Sequence, residues 1–399
     1  MSIPIRVLEA VRARKDEWVS LLVALASLES PTTEPSAQGP VQDLLSERLT
    51  GLGYRVRRVR GVSTGGSILA VPSARKRHNF QLLLGHTDTV WPRGTLDTMP
   101  VDHSGPVLKG PGVFDMKSGL TNAVIALRVL RELGLEPGLP PVVLFNSDEE
   151  MGSPESTSLI QRLGRSAARV FVLEPALGLE GKIKTARKGT GRFTVRIVGR
   201  AAHAGLDPEQ GASAIQELAL VVQSLHDLTD FEDGVVVNVG EVQGGVRYNV
   251  VAAEARAEVD VRVRSLAQGR EVEARIRAIG ARVRGCRIEI EGRLDRPPLE
   301  RTQRNQLLWQ EARRVGDGMG IRLVEGIAGG ASDGNTTSDL TATLDGLGGV
   351  GDGAHALHEH IDVDRSIERC ALLAVLLLMP PGSGDPGGLD PMEDKNAEG

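Results

Sequence analysis

One histidine and one aspartate, His86 and Asp88, have the types and spacing that suit a metal site. They stand two apart in the segment GHTDTV, and residues two apart on an extended chain point to the same side. One ring nitrogen of His86 can therefore bind a metal while Asp88 holds the other and fixes the tautomer. The same triplet also occurs in ordinary surface turns, so this pair alone does not establish a site.

Acidic residues at two further places can complete such a site. Asp115, in GPGVFDMKSG, lies at the entrance of a predicted helix, where it also suits the role of a plain helix cap. The run Asp148-Glu149-Glu150 follows an apolar segment, and three adjacent acids repel one another unless water or a positive charge separates them. Because adjacent side chains face different ways, Glu150 can bind metal while Glu149 stays available as a general base.

Together the candidate ligands form a pattern. Four of the five follow an apolar strand-like run and the fifth starts the helix between two such runs; they are His86, Asp115, Glu150, Glu174 and His355. Ligands of open α/β sheets collect at the carboxyl ends of the strands. Two imidazoles and three carboxylates without a thiolate suit zinc, and less firmly cobalt or manganese. Two divalent ions, three carboxylates and a bridging hydroxide sum to zero charge, which favours two ions over one.

The segments that must position these residues alternate between helical and strand-like patterns. Helices are predicted over residues 6–29, 40–53 and 117–133, the last ending before Gly134 and Pro137. Short apolar runs at 80–84, 141–145 and 169–173 are typical of buried parallel strands. The first half of the chain therefore predicts an α/β domain, with a central, mostly parallel sheet flanked by helices.

A different pattern over residues 185–296 predicts an inserted domain. Apolar and charged residues alternate from Val251 to Arg264, as in an antiparallel sheet with one exposed face. The predicted element order is β-α-β-β-α-β, a ferredoxin-like α+β arrangement. The α/β pattern resumes over 297–380, with a strand near 346–351 and helices at 302–318 and 364–379, so that 1–184 and 297–380 form one domain. The Pro-, Gly- and acid-rich tail 381–399 is predicted to be disordered.

Composition excludes several classes of function. The 399 residues carry a net charge of −5, which provides no basic surface for nucleic acid or an anionic membrane. The two cysteines, Cys286 and Cys370, form no Cys-x-x-Cys pair, so we expect neither a disulfide framework nor a thiolate metal site. The apolar stretch 18–28 is too short to span a bilayer, and we expect a core helix there in a cytoplasmic protein.

The sequence resembles one family of zinc metallopeptidases and amidohydrolases. The strings GHTDTV, GPGVFDMKSG, NSDEEMGS, LEP, GRAAHAG, YNVV, DVRV, GGASDGN and GAH occur in the order typical of that family. Its members include acetylornithine deacetylase, succinyl-diaminopimelate desuccinylase, aminoacylase and glutamate carboxypeptidase, the branch that the chain resembles most. The resemblance extends to about residue 380. It implies a zinc exopeptidase-like fold that releases a C-terminal, glutamate-like amino acid from a peptide or an N-acyl-amino acid.

The resemblance also implies roles for individual residues in the catalytic domain. Five ligands hold two zinc ions per subunit, with His86, Asp115 and Glu174 around one ion and Asp115, Glu150 and His355 around the other. Glu149 is implied as the general base, and Asp88 as the residue behind His86. A cis peptide bond is implied between Asp115 and Met116.

The inserted domain resembles the family's lid and dimerisation domain, which implies a homodimer. His203 matches a histidine that reaches the active site of the other subunit and stabilises the oxyanion. Asn249 and Arg262 match residues that hold the free carboxylate of the substrate, and Arg262 also lies on the charged face of its predicted strand. Lys182, eight residues after Glu174, matches the lysine that glutamate carboxypeptidases use for the substrate side chain.

Two departures from the family pattern leave the substrate open. The segment Arg187-Lys188-Gly189 resembles other branches of the family, and Ala331 replaces a common glycine in GGASDGN. The alternatives among hydrolases are a dipeptidase and an N-acyl-amino-acid deacylase similar to acetylornithine deacetylase. A non-catalytic binding protein on the same fold is the alternative from another class. The presence of every implied ligand and of Glu149 argues against it.

Overall fold

A computed structural model describes residues 1–74 and 79–380, so the predicted disordered tail 381–399 lies outside the described residues. The helices are α1 (Ile3–Arg12), α2 (Lys15–Ala26), α3 (Gln38–Gly51), α4 (Ser118–Glu132), α5 (Thr157–Ser166), α6 (Ala214–His226), α7 (Leu266–Arg277), α8 (Gln303–Gly318), α9 (Asp333–Ser338) and α10 (Val363–Leu377).

The strands complete the list of elements. They are β1 (Tyr54–Val59), β2 (Ser67–Pro72), β3 (Phe80–His86), β4 (Asp102–Ser104), β5 (Val107–Lys109), β6 (Pro141–Asn146), β7 (Ala167–Val172), β8 (Ile183–Arg187), β9 (Gly189–Val198), β10 (Val236–Gly244), β11 (Glu254–Val263), β12 (Arg287–Arg296), β13 (Glu325–Ala328), β14 (Ala342–Leu344), β15 (Val350–Asp352) and β16 (His360–Asp362).

The described chain divides into two compact units. One comprises residues 1–185, 301–328 and those from 332 onward, and the other comprises residues 186–300 and 329–331. The first unit contains a six-stranded sheet in the order β1-β2-β6-β3-β7-β14. Strands β6, β3, β7 and β14 run parallel. At one edge β2 pairs antiparallel with β6, and β1 pairs antiparallel with β2. The predicted mostly parallel central sheet is therefore confirmed.

The central strands are apolar on both faces because helices cover both. Leu83, Val143 and Phe171 face one hydrophobic cluster, which also contains residues of α1, α2, α4 and α10. Their neighbours Leu82 and Val142 face the other cluster, which contains residues of α5. Successive strand residues point to opposite faces, so a continuous apolar run is what a doubly covered parallel strand requires.

Two predicted elements differ from the structure. The helix predicted over 6–29 is two helices, because Arg14 has the non-helical angles φ −107° and ψ 18°. Helix α1 lies mainly against α10, while α2 lies against α4, and one straight helix cannot follow both partners. The strand predicted near 346–351 is present only as the short strand Val350–Asp352, which belongs to a small separate sheet in the order β15-β16-β5-β4, and Ala342–Leu344 forms the edge strand of the central sheet.

The second unit is an antiparallel sheet in the order β10-β11-β9-β12 with helices α6 and α7. The element order is β9-α6-β10-β11-α7-β12, so the ferredoxin-like prediction is confirmed. Alternate residues of β11, among them Ala257, Val259 and Val261, are buried against the helices in one cluster. The charged residues between them lie on the opposite face, as the alternation predicted.

Within residues 1–74 and 79–380, no helix combines the length and the apolar character needed to cross a membrane. The stretch 18–28, predicted as a core helix, lies mostly in α2, where Trp18, Leu22 and Leu25 are fully buried.

Candidate metal centre

The candidate ligands lie at the carboxyl edge of the central sheet. His86 is the last residue of β3, Glu150 follows β6, and Glu174 comes two residues after β7. Asp115 lies in the loop before α4, the helix that connects β3 to β6. The structure thus brings these four together in the way that parallel strand topology predicts.

His355 reaches the same place by a different route. It follows β15 of the small sheet rather than a strand of the central sheet, which corrects the predicted position. Its backbone has φ 62°, in the left-handed region that a residue with a side chain rarely adopts. Such a conformation persists only where the surroundings enforce it, and it is concentrated at functional sites.

Asp115 lies between the two histidines. Its Oδ1 is 3.4 Å from Nε2 of His86, and its Oδ2 is 3.6 Å from Nε2 of His355. Glu174 Oε1 lies 3.5 Å from Nε2 of His86, and Glu150 Oε2 lies 3.2 Å from Nε2 of His355. Tetrahedral zinc ligands at about 2.1 Å from the ion are about 3.4 Å from one another. The spacing therefore matches two ligand groups that share Asp115.

Buried atoms in this cluster lack the partners that a folded protein normally provides. Nε2 of His86, Oδ1 of Asp115 and Oε1 of Glu150 are inaccessible and make no hydrogen bond within the described protein. Buried polar atoms almost always have a partner, so three at one place call for an explanation. Bound cations would supply the missing partners of these three atoms. The residues present therefore fit a metal site.

The pKa shifts of the candidate ligands also indicate a site for cations. Burial, followed by repulsion from Asp115, raises the pKa of Glu150 to about 7, although the hydrogen bond with His355 opposes the shift. The hydrogen bond to Glu150 raises the pKa of His355 to about 9. Burial lowers the pKa of His86, but its contacts with Asp115, Asp88 and Glu174 outweigh burial and hold the pKa well above the usual value. The acids thus attract positive charge, and bound cations would replace these protons.

The cis peptide bond implied between Asp115 and Met116 is present. The structure also shows how Asp88 contacts His86. The backbone carbonyl of Asp88 lies 2.9 Å from Nδ1 of His86, and its carboxylate lies 3.4 Å from the same nitrogen. That carboxylate accepts hydrogen bonds from Thr32 and from the backbone N–H groups of Glu149 and Glu150. Asp88 therefore holds both the imidazole and the acidic turn.

Glu149 lies beside the ligand group that contains His86 and Glu174. Its carboxylate and the ligand atoms of His86 and Glu174 all lie within 4.8 Å of one another, and the residue is buried. This position suits a general base close to the metal, the role predicted from the sequence. Its role stays a prediction.

Two glycines pack against the backbone that carries Glu174. A methyl group added to Gly119 of α4 would overlap the carbonyl oxygen of Leu173, and one added to Gly348 would overlap the same oxygen from another side. Close approach of the backbone is possible here only without side chains. The strand end before Glu174 is therefore held tightly between α4 and the loop after β14.

The predicted substrate residues of the second unit lie at its surface. His203 is exposed, and its Nδ1 accepts hydrogen bonds from the backbone N–H groups of Gly205 and Leu206. In a neutral imidazole this leaves Nε2 as a donor. Asn249 is exposed. Its backbone carbonyl accepts a hydrogen bond from the backbone N–H group of Ala204, which places Asn249 beside the segment that carries His203. Arg262 forms an ion pair with Asp260 at 2.8 Å.

Lys184, which is not among the predicted site residues, lies beside the candidate metal centre, in contrast to Lys182. The side chain of Lys182 is 36% exposed and pairs with Glu180 at 2.6 Å. Lys184 is buried, and its Nζ lies 3.9 Å from Oε2 of Glu174. No local sequence signal distinguishes the two lysines, because their burial depends on the fold.

The motif GGASDGN supports the acidic turn from behind. Asp333 accepts a hydrogen bond from Asn146 at 2.6 Å and another from Ser153, and these two residues flank the turn that carries Glu149 and Glu150. The motif belongs to the family resemblance, and its role in holding the acidic turn is visible only in the folded chain.

Comparisons with known proteins agree with the fold. The peptidase dimerisation domain of the M20 peptidases matches residues 185–283. Carboxypeptidase G2 from Pseudomonas sp. (strain RS-16) is 28% identical over 92% of this chain and 89% of its own. Succinyl-diaminopimelate desuccinylase from Azoarcus sp. (strain BH72) is 27% identical over 86% of this chain and 93% of its own.

Solved structures share the fold at lower identity. The aminopeptidase PepT of Bacillus cereus has a TM-score of 0.76 and 20% identity, and the match covers 91% of this chain and 98% of that one. The predicted family resemblance is confirmed. The chain is a hydrolase that carries the M20 dimerisation domain and is similar over most of its length to M20 metallopeptidases and amidohydrolases.

Proposed function

We propose that the chain is a two-metal exopeptidase that releases a C-terminal, glutamate-like amino acid from a peptide or an N-acyl-amino acid. The observation that carries this proposal is the position of Asp115, whose two oxygens face His86 at 3.4 Å and His355 at 3.6 Å. A carboxylate shared between two imidazoles suits a pair of cations a few ångströms apart, as in two-metal hydrolases.

The native metal is proposed to be zinc, with two ions per subunit. His86, Asp115 and Glu174 would hold one, and Asp115, Glu150 and His355 the other. The donor atoms are nitrogen and oxygen only, which suits zinc and leaves cobalt or manganese as alternatives. When bound, such ions polarise the scissile carbonyl and lower the pKa of a water molecule at the site.

The residues of the chain then divide the work of amide hydrolysis. Glu149 accepts the proton of the attacking water, whose oxygen adds to the amide carbon. The C–N bond breaks as Glu149 returns the proton to the leaving amine, and Asp88 keeps His86 and the acidic turn in place. His203 donates from Nε2 to the oxyanion of the other subunit, and Asn249 and Arg262 bind the substrate carboxylate.

Replacing Glu149 with Gln tests the catalytic part of the proposal. Gln cannot accept the proton, so kcat should fall by about 10²–10⁴-fold. Elemental analysis should still find two ions per chain, because Glu149 is not among the proposed ligands. Glu136→Gln, the same change at an exposed carboxylate that contacts none of the candidate site residues, is the control and should keep wild-type kcat. A Glu149→Gln variant with wild-type kcat would exclude the assigned base.

The proposed preference for a glutamate-like C-terminal residue depends on one position, Lys182. Lys182 pairs with the exposed Glu180, and a substrate carboxylate would have to displace that partner. A second candidate is therefore an N-acyl-amino-acid deacylase, which the similarity to a desuccinylase supports. Rates on N-acylglutamates, on acetylornithine and N-succinyl diamines, and on simple dipeptides separate the candidates. The largest kcat/KM should occur with the N-acylglutamates.

We also propose a homodimer formed through the second unit. The dimerisation domain matches this part of the chain. Strand β10 is the outermost strand of its sheet, and Val242 on it is exposed. Tyr248, in the loop that follows, is exposed as well. An open edge with apolar side chains favours pairing with a second chain.

A further inference from the structure

Glu359 is a fully buried carboxylate that none of the sequence motifs singled out. Its Oε1 accepts hydrogen bonds from the backbone N–H groups of Phe114 and Asp115, at 2.9 and 3.0 Å. Its Oε2 accepts from Gly112 N at 2.9 Å and from Nε1 of Trp91 at 2.7 Å. Both oxygens therefore have two donors each, which is the arrangement that suits an ionised carboxylate.

These bonds connect two loops that each carry a candidate ligand. Three of the four donors belong to the loop that ends at Asp115, and Glu359 itself stands four residues after His355. The backbone carbonyl of Glu359 also accepts from Gly110 N at 3.3 Å. A methyl group on Gly353 would lie 2.9 Å from the Glu359 backbone, so the loop around His355 closes tightly on this residue.

We infer that Glu359 is a positioning residue that sets the separation of Asp115 and His355 and thereby the affinity of the metal position these two share with Glu150. The inference rests on the proposed function, because it concerns the second of the two proposed cations. The carboxylate of Glu359 accepts its hydrogen bonds from backbone and indole N–H groups, and it is not one of the five candidate ligands. It acts through the backbone of Asp115, as outer residues do when they orient metal ligands.

Two substitutions at Glu359 separate the effect of its negative charge from the effect of its side-chain length. In Glu359→Gln, one oxygen becomes an NH₂ group that must face two N–H donors, so at least two of the four hydrogen bonds are lost. Glu359→Asp keeps the charge but is one methylene shorter, and should retain part of the function. Trp91→Phe removes only the fourth bond and leaves the three bonds to the Asp115 loop, which makes it the matched control.

The experiment titrates the metal-free full-length protein with Co²⁺. Calorimetry measures the affinity of each ion, and visible absorption reports the environment of the bound Co²⁺. Wild type and Trp91→Phe should bind two ions with similar affinities. In Glu359→Gln the ion proposed to bind Asp115, Glu150 and His355 should bind 10–100-fold less tightly, with an altered absorption band, while the affinity for the other ion changes much less. Glu359→Asp should fall between them. Circular dichroism verifies that each variant is folded.

Other results would overturn either the inference or the proposed function. A folded Glu359→Gln that binds both ions as wild type does would overturn the inference while leaving the proposed function intact. Equal weakening of both ions would also overturn it, since that indicates a general loss of structure. If Glu359→Gln does not fold, Glu359→Asp carries the same test. A wild-type chain that binds no cation would instead overturn the proposed function.

Discussion

Lys184 supplies a fixed positive charge beside the candidate ligands. Its ammonium group lies 3.9 Å from Glu174, and only 8% of its side chain is exposed. Lys182, two residues earlier, forms its ion pair with Glu180 at the surface. Exposed ion pairs contribute little to stability, whereas removal of one partner of a buried pair is costly. We therefore expect the two lysines to contribute very differently.

Replacing Lys184 with Met should lower the free energy of unfolding by about 1–3 kcal/mol, because the buried carboxylate of Glu174 loses a nearby positive charge. Lys182→Met is the matched control and should change it by less than about 0.5 kcal/mol. Urea unfolding of the metal-free proteins measures both effects. Equal losses in the two variants would contradict the role assigned to burial.

Between elements, single carboxylates hold loops in place. Glu155, between the acidic turn and α5, accepts hydrogen bonds from the backbone N–H groups of Val62 and Ser63 and from the hydroxyls of Ser63 and Thr64. The hydrogen bond from the Ser63 hydroxyl, together with those from the backbone, lowers the pKa of Glu155 to about 2. The loop between β1 and β2 is thereby attached to the segment that follows β6.

The pH dependence of this attachment follows from the sign of the shift. A carboxyl whose pKa is lowered on folding stabilises the fold above its unfolded value of 4.5, and the contribution disappears as pH falls towards 2. Glu155→Gln should therefore lower Tm slightly at pH 6, and the difference from wild type should shrink below pH 4.5. Thermal unfolding across this range measures it. A difference that is constant with pH would show that ionisation plays no part.

Elements and their order are predictable here because apolar periodicity is a local property of the sequence. The strands after which His86, Glu150 and Glu174 follow are present, and parallel topology then explains why these side chains meet. The break at Arg14 was not predictable, since no glycine or proline marks it and long-range packing determines it. The strand before His355 is present but shorter than predicted, and several glycines interrupt residues 346–353.

The supporting residues of the site lie beyond local prediction for the same reason. Glu359 meets the N–H group of Asp115 across 244 residues of sequence. Asp333 meets Asn146 across 187 residues. A single sequence gives the chemical type of such residues but not their partners, so only the folded chain distinguishes Lys184 from Lys182.

At the scale of the whole molecule, the proposed dimer determines which chain completes each active site. If His203 acts on the site of the other subunit, neither a Glu149→Gln nor a His203→Ala homodimer has a complete site. A heterodimer of the two variants has one site that combines an intact Glu149 with an intact His203.

Co-expression with two different tags isolates this heterodimer. It should show about half of the wild-type kcat per dimer, although each parent homodimer is nearly inactive. Action within one chain predicts no recovery at all, because each chain then carries its own defect. Equal folding of both variants, verified by thermal unfolding, is the control.

The contact of Gly119 and Gly348 with the carbonyl of Leu173 has a consequence for how this enzyme can change. Both positions exclude even alanine, so saturation mutagenesis of Gly119 and Gly348 should yield almost no active clones. New substrate ranges must therefore arise from residues at a distance from this tight junction. Laboratory evolution of the chain would gain most from libraries that leave Gly119 and Gly348 untouched.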